Sequence, residues 1–170
     1  MSFLTDRMVL ISSNTLGTAT TSITFSNIPS TYRALRLVFS GAVTAAVGWS
    51  TAGIRFNGDA TSNYYHQLTS TVYTSTSIGS WSGASTGGSA ANSSYSGNDF
   101  IIYDYTSTTR RKLIVGLGVS DTSTTSTPVA GAGFYYNLWG GNAAITSITL
   151  LDFNGYTLAI GAMAALYGMP

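Results

Sequence analysis

The chain has 170 residues, 44% of them apolar and 12% aromatic, which suits a single domain over residues 1–170 with a buried core. Only 8% of the residues are charged, where soluble proteins average about 25%, and the net charge of +1 provides no field that draws the chain onto DNA, RNA or anionic lipid. We therefore expect no nucleic-acid and no membrane partner, and the absence of cysteine excludes disulfides and thiolate metal sites.

At the start of the chain, Asp6 and Arg7 interrupt the apolar run that a signal peptide needs, so we expect no leader. From residue 23 onward, apolar residues alternate with polar ones in short runs that are rich in β-branched and aromatic side chains. A period of two is typical of half-buried strands. The pattern predicts strands within residues 23–26, 35–40, 54–56, 100–105, 113–117, 134–138 and 145–150.

Two Asn-Gly pairs lie between apolar runs, Asn57-Gly58 and Asn154-Gly155, and each predicts a tight hairpin turn because both residue types accept positive φ angles. The last apolar stretch, residues 158–169, is shorter than the roughly 20 residues of a membrane helix. Its two glycines and its alternation favour a strand over a small-residue helix.

These features predict an all-β fold, an antiparallel β-sandwich of about eight to ten strands with no helix between them. We expect a jelly-roll-like arrangement, because this fold manages its edge strands within two packed sheets.

One segment, residues 74–97, departs from the alternation and consists mainly of Ser, Gly, Ala and Thr. It is predicted to be a long loop, and loops of this length in compact domains are usually functional or disordered. An exposed Trp typically contacts something, so Trp81 and Tyr95 are candidate partner contacts. The alternative is that Trp81 folds back onto its own sandwich.

Groups for acid–base chemistry are scarce, since the chain has one His, no Glu and six scattered Asp. His66 is interpreted as a hydrogen-bonded strand residue rather than a catalyst. Asn57, Asp59 and Asn63 offer oxygen ligands to calcium in one turn, but the further carboxylates of a calcium site are missing, which favours a plain hairpin. We expect no catalytic residue, no metal and no cofactor, and therefore not an enzyme.

The one cluster of charges, Arg110-Arg111-Lys112, opens a predicted strand. The favoured interpretation is that these residues guard an exposed sheet edge against unwanted pairing. The functional alternative makes Arg110, Arg111 and Lys112 partner contacts that pair with carboxylates on another protein.

Several segments resemble small virion proteins of tailed phages, and the resemblance covers most of the chain except residues 74–97. It is carried by residues 10–17, 23–32, 35–41, 54–59, 144–150 and 165–169. The resemblance implies a jelly-roll-like protein of the virion surface, either a head decoration (cement) protein or a part of a tail fibre or receptor-binding apparatus. It assigns no role to any single residue.

The short chain favours capsid decoration, in which a homo-oligomer, most simply a trimer, binds the major capsid protein on the virion surface. The alternative is a tail-fibre or receptor-binding module in which Trp81, Tyr95 or Trp139 stacks on a host glycan. A third hypothesis, a polysaccharide hydrolase, requires a pair of carboxylates about 5–10 Å apart.

Overall fold

The computed structural model describes residues 7–45, 52–68, 71–75, 78–79, 88–89, 95–121 and 130–170, and side chains within 7–45, 52–66, 95–119 and 132–170. Within these ranges the chain forms strands and their connections, and no helix there is long and apolar enough to cross a membrane. The strands are β1 (Val9–Thr15), β2 (Ser22–Phe25), β3 (Ala34–Val43), β4 (Ala52–Phe56), β5 (Tyr64–Leu68), β6 (Thr71–Ser75), β7 (Ile78–Gly79), β8 (Gly88–Ser89), β9 (Ser96–Tyr103), β10 (Lys112–Asp121), β11 (Ala130–Trp139), β12 (Ile148–Asp152) and β13 (Met163–Met169).

The strands form two sheets. The larger sheet has the order β1-β13-β3-β9-β10-β11-β5-β6, and β8 pairs with β3 outside this path. The smaller sheet has the order β2-β12-β4-β7. The neighbours within each path are antiparallel, whereas β8 runs parallel to β3. The fold is thus the predicted all-β antiparallel sandwich, jelly-roll-like in arrangement, and short strands such as β7 and β8 bring the described total to thirteen.

The core lies between the two sheets, and strands such as β9 and β12 alternate buried residues that face it with more exposed ones. The larger sheet contributes Leu35, Leu37, Phe100 and similar side chains, and the smaller sheet contributes residues such as Ile54 and Leu150. We call the side of the larger sheet that carries this core its inner face. The opposite side is its outer face.

Both predicted turns form, but neither is a hairpin. Asn57 and Gly58 have φ angles of 52° and 70°, and the Asp59 amide donates to the Phe56 carbonyl at 2.9 Å. The preceding strand β4 pairs with β12 and β7, whereas the following strand β5 pairs with β11 and β6. The hairpin prediction is wrong because this turn carries the chain from the smaller sheet to the larger one.

The same correction applies to Asn154-Gly155. Gly155 has a φ angle of 82°, and its amide donates to the Asp152 carbonyl at 3.1 Å. The chain then leaves β12 of the smaller sheet and continues to β13 of the larger sheet. The predicted C-terminal strand is β13, which follows a turn in which Gly161 has a φ angle of 83°.

The low-complexity segment 74–97 contributes short strands where it is described. Residues 78–79 pair with β4 and residues 88–89 pair with β3. Trp81 lies outside the described residues, so neither of its two interpretations is tested here.

Candidate functional site

The outer face of the larger sheet presents a cluster of exposed apolar and aromatic side chains. Leu113, Leu117 and Val119 of β10 alternate with inward-facing residues, as Phe134 and Tyr136 of β11 do. Phe134 is 69% exposed and Tyr136 is 58% exposed. We define the outer apolar face by the six exposed large apolar residues that β9, β10 and β11 place on it: Tyr103, Leu113, Leu117, Val119, Phe134 and Tyr136.

Strand register makes this face continuous. One row of cross-strand neighbours crosses six strands of the sheet, and another brings Asp99, Leu117 and Phe134 side by side. Half-buried apolar residues fill the spaces between the exposed ones. Ile101 and Val115, for example, are direct cross-strand neighbours. The long row consists of Leu10, Tyr167, Arg36, Ile101, Val115 and Tyr136.

The outer face carries one ion pair near its middle. Arg36 of β3 donates from Nε to both carboxylate oxygens of Asp99 on β9, at 2.8 and 3.1 Å, and its Nη2 also donates to Asp99. This hydrogen bonding raises the pKa of Arg36. The two side chains are about one-third exposed, so the ion pair is partly shielded from solvent by the sheet. The pair leaves the apolar face electrically neutral at this point.

The basic cluster does not guard a sheet edge, so that interpretation is wrong. Lys112 opens β10, which lies between β9 and β11. Arg110 is exposed and pairs with Asp104 at 3.0 Å, and the Arg111 guanidinium lies 5.8 Å from the centre of the Tyr65 ring. Because its side chain is exposed, Arg110 remains a candidate contact for a partner.

Lys112 is not available to a partner, because its side chain is fully buried. Its Nζ donates to the carbonyls of Ser107, Arg110 and Gly141 at 2.6, 3.0 and 3.4 Å and lies 5.4 Å from the centre of the Trp139 ring. Burial lowers the pKa of Lys112. Lys112 is a structural residue that ties two connections to the end of the sheet, and its assignment as a partner contact is wrong.

Of the aromatic residues considered for glycan binding, Tyr95 is 57% exposed next to the start of β9 and stays a candidate contact. Trp139 is not a candidate contact, because it lies on the inner face and is only 3% exposed. Its ring centre lies 5.4 Å from that of Phe56 and 6.5 Å from that of Tyr64. Trp139 is therefore a core residue that a sugar ring does not reach.

Of the residues considered as calcium ligands, Asp59 and Asn57 accept protein hydrogen bonds through their side-chain oxygens, and Asn63 donates one. Asp59 Oδ1 accepts from the amide and hydroxyl of Thr61, while Oδ2 accepts from Asn63 Nδ2 at 3.2 Å and Trp139 Nε1 at 2.8 Å. Asn57 Oδ1 accepts from the amides of Thr146 and Ser147. These hydrogen bonds hold a turn between the two sheets rather than the plain hairpin that the sequence favours. Among the described residues, no three His, Cys, Asp or Glu side chains form a group suited to a metal ion.

The described carboxylates serve separate structural roles. Asp99 and Asp104 pair with arginines, and the buried Asp152 accepts the amides of Asn154 and Tyr156. His66 is 5% exposed on β5, as expected for a strand residue, and burial lowers its pKa.

Asp59 gives the sandwich a measurable acid dependence. Partial burial, the largest influence, raises the pKa of Asp59, but hydrogen bonds from Thr61, Trp139 and Asn63 together outweigh it and lower the pKa from 3.8 to about 2. Because the folded state holds the proton less tightly than the unfolded state, the stabilisation is complete above pH 3.8 and is lost as the pH falls toward 2. We expect this loss to be about 2 kcal/mol.

Urea denaturation between pH 7 and pH 2 measures this effect. Asp59→Asn should be less stable than the wild type at pH 7, and the difference should shrink toward pH 2. Asp104→Asn, which removes an exposed ion pair, is the control and should change stability little. A constant difference between Asp59→Asn and the wild type across the whole range would contradict the prediction.

Sequence reasoning missed the outer apolar face, although a signal for it exists. The runs 113–115 and 134–136 are apolar at consecutive positions, so apolar side chains point to both faces of β10 and β11. Continuous apolar runs are typical of strands that are buried on both faces. In this chain the outer face of β10 and β11 is exposed, so the runs mark an apolar surface.

Comparison with known proteins finds no matching family model, no matching curated protein and no matching solved structure.

Proposed function

We propose that this chain is a non-enzymatic structural protein of the virion surface, a capsid decoration protein that stabilises a phage head through contacts between subunits. The observation that carries the proposal is the outer apolar face. Monomeric soluble proteins seldom expose a contiguous apolar patch of more than a few hundred Å², and larger patches mark interaction sites. Tyr, Phe and aliphatic residues without unpaired charges are also what the centre of a protein interface contains.

The charge distribution supports the same function. Arg36 is neutralised by Asp99 on the outer face, and Arg110 is paired with Asp104 at the end of β10. A subunit can therefore cover the part of the outer face around Arg36 and Asp99 without leaving either charge unpaired, which would be strongly destabilising. The serine and threonine residues that replace charges elsewhere hydrate the surface without opposing close packing of many copies.

The virion setting comes from the resemblance to small tailed-phage proteins, and the expected partners are the major capsid protein and further copies of the chain. The described carboxylates and His66 each have a place in the fold, which supports a structural rather than an enzymatic role.

The test uses phage heads assembled without this protein. DNA release on heating is followed with a fluorescent dye, with and without the purified chain added back. We expect heads that lack the protein to release DNA at a lower temperature and the wild type to restore them. Cryo-electron microscopy of restored heads should show the sandwich on the shell.

Two variants of matched chemistry identify the surface that matters. Phe134→Asp places a carboxylate on the outer apolar face, and Thr24→Asp places one on an exposed position of the smaller sheet. Phe134→Asp should fail to restore the heads, whereas Thr24→Asp should restore them. Heads of equal stability with and without the protein, or density on the tail instead of the shell, would overturn the proposal.

A further inference from the structure

The outer apolar face has an area and a charge pattern that fit a second copy of the same chain. From their fractional exposures, its six side chains present on the order of 600 Å² to solvent. A standard stable interface takes roughly 800 Å² from each partner. The half-buried side chains that fill this face, such as Ile101, Val115 and Leu138, supply much of the remainder.

Charge complementarity favours the same occupant. The Arg36–Asp99 pair enters the contact already neutralised, and the whole chain has a net charge of only +1. Two copies therefore meet with little net repulsion, and around Arg36 and Asp99 they bury no unpaired ion. The six apolar side chains that define this face offer no counter-charge to a strongly charged partner.

The shape of the face also suits self-association. It belongs to an antiparallel sheet, and sheets pack face to face at a spacing of about 10 Å with interdigitated side chains. Two identical faces related by a twofold axis bury the same residues on both copies. Tyr103 and Tyr136 add hydroxyls that can find partners or water at such a contact.

We infer that two copies of this chain associate through their outer apolar faces, around a twofold axis, into a homodimer. The inference deepens the proposed function, because it names a second copy of the chain as the partner of the outer apolar face. It rests on the proposed function in one respect: the dimer would be the unit that decorates the head. A twofold contact differs from the trimer expected from the sequence, so the mass of the assembly distinguishes the two.

The first experiment is light scattering after size-exclusion chromatography of the purified full chain over a range of concentrations. We expect a mass of twice the 17.8 kDa of one chain. Because a twofold axis places each substitution in the interface twice, Phe134→Asp and Tyr136→Asp should each weaken association by about 100-fold or more. Thr24→Asp should leave it unchanged. Thermal denaturation verifies that each variant remains folded.

The second experiment uses the absence of cysteine, since a single introduced thiol is then the only one in the chain. Leu117→Cys and Phe134→Cys should form disulfide-linked dimers under mild oxidation, and Thr24→Cys should not. Disulfides require Cα atoms within about 7 Å, so the most efficient position marks the axis.

A monomeric or trimeric wild type, or a Phe134→Asp variant that dimerises normally, would overturn the inference. Failure of the two proposals can be told apart. Dimers that neither bind nor stabilise phage heads refute the decoration function and leave the dimer standing. A monomeric chain that still restores heads refutes the dimer and leaves the function standing.

Discussion

Trp139→Ala is expected to lower the free energy of unfolding by about 3–5 kcal/mol, the range for removing a fully buried large aromatic residue. Trp139 packs against Phe56 and Tyr64, and its Nε1 donates to Asp59. Alanine leaves a cavity among these rings and withdraws a donor from a partly buried carboxylate. Urea denaturation at pH 7 measures the change.

Two further variants separate these contributions. Trp139→Phe keeps most of the apolar volume but loses the indole donor, and should cost about 1–2 kcal/mol. Tyr95→Ala removes an exposed aromatic residue and should change stability by less than about 0.5 kcal/mol. A Trp139→Ala variant as stable as Tyr95→Ala would show that Trp139 is not part of the core.

Lys112→Met is expected to cost about 3 kcal/mol, because it removes a charged donor shared by three carbonyl oxygens while keeping a similar side-chain volume. The carbonyls belong to Ser107, Arg110 and Gly141, so both connections at this end of the larger sheet lose their anchor. The ammonium also lies above the Trp139 ring, so the effects of the two substitutions should not add.

Arg110→Met is the matched control for Lys112→Met. The Arg110 side chain is 70% exposed, and exposed ion pairs contribute little, so this variant should lose less than about 1 kcal/mol. Equal losses for the two variants in urea denaturation would contradict the structural role of Lys112.

The sequence predicted most of the longer strands and their buried faces, because alternation is a local property that survives in the fold, but it predicted neither β1 (Val9–Thr15) nor β6 (Thr71–Ser75). It also predicted the conformation at Asn57-Gly58, since positive φ angles depend on the residues themselves. It did not predict that this turn joins two different sheets, because strand pairing is decided by distant residues. Here Asn57 accepts amides from Thr146 and Ser147, almost ninety positions away.

The wrong assignment of Lys112 arose because the in–out alternation of β10 was not extended back to residue 112. Lys112 lies two residues before Ile114, so it shares the inner face with that core residue. Clusters of basic residues are usually read as one surface feature. On a strand, neighbouring members point to opposite faces, and Arg111 and Lys112 do so.

The position of β13 between β1 and β3 has a consequence for synthesis of the protein. Residues 9–15 and 34–43 leave the ribosome well before residues 163–169, which must insert between them. Until then both early strands present unpaired backbone groups, a template for association with other nascent chains. Completion of the larger sheet therefore waits until residues 163–169 are translated, and chains that stop short of them should aggregate rather than fold.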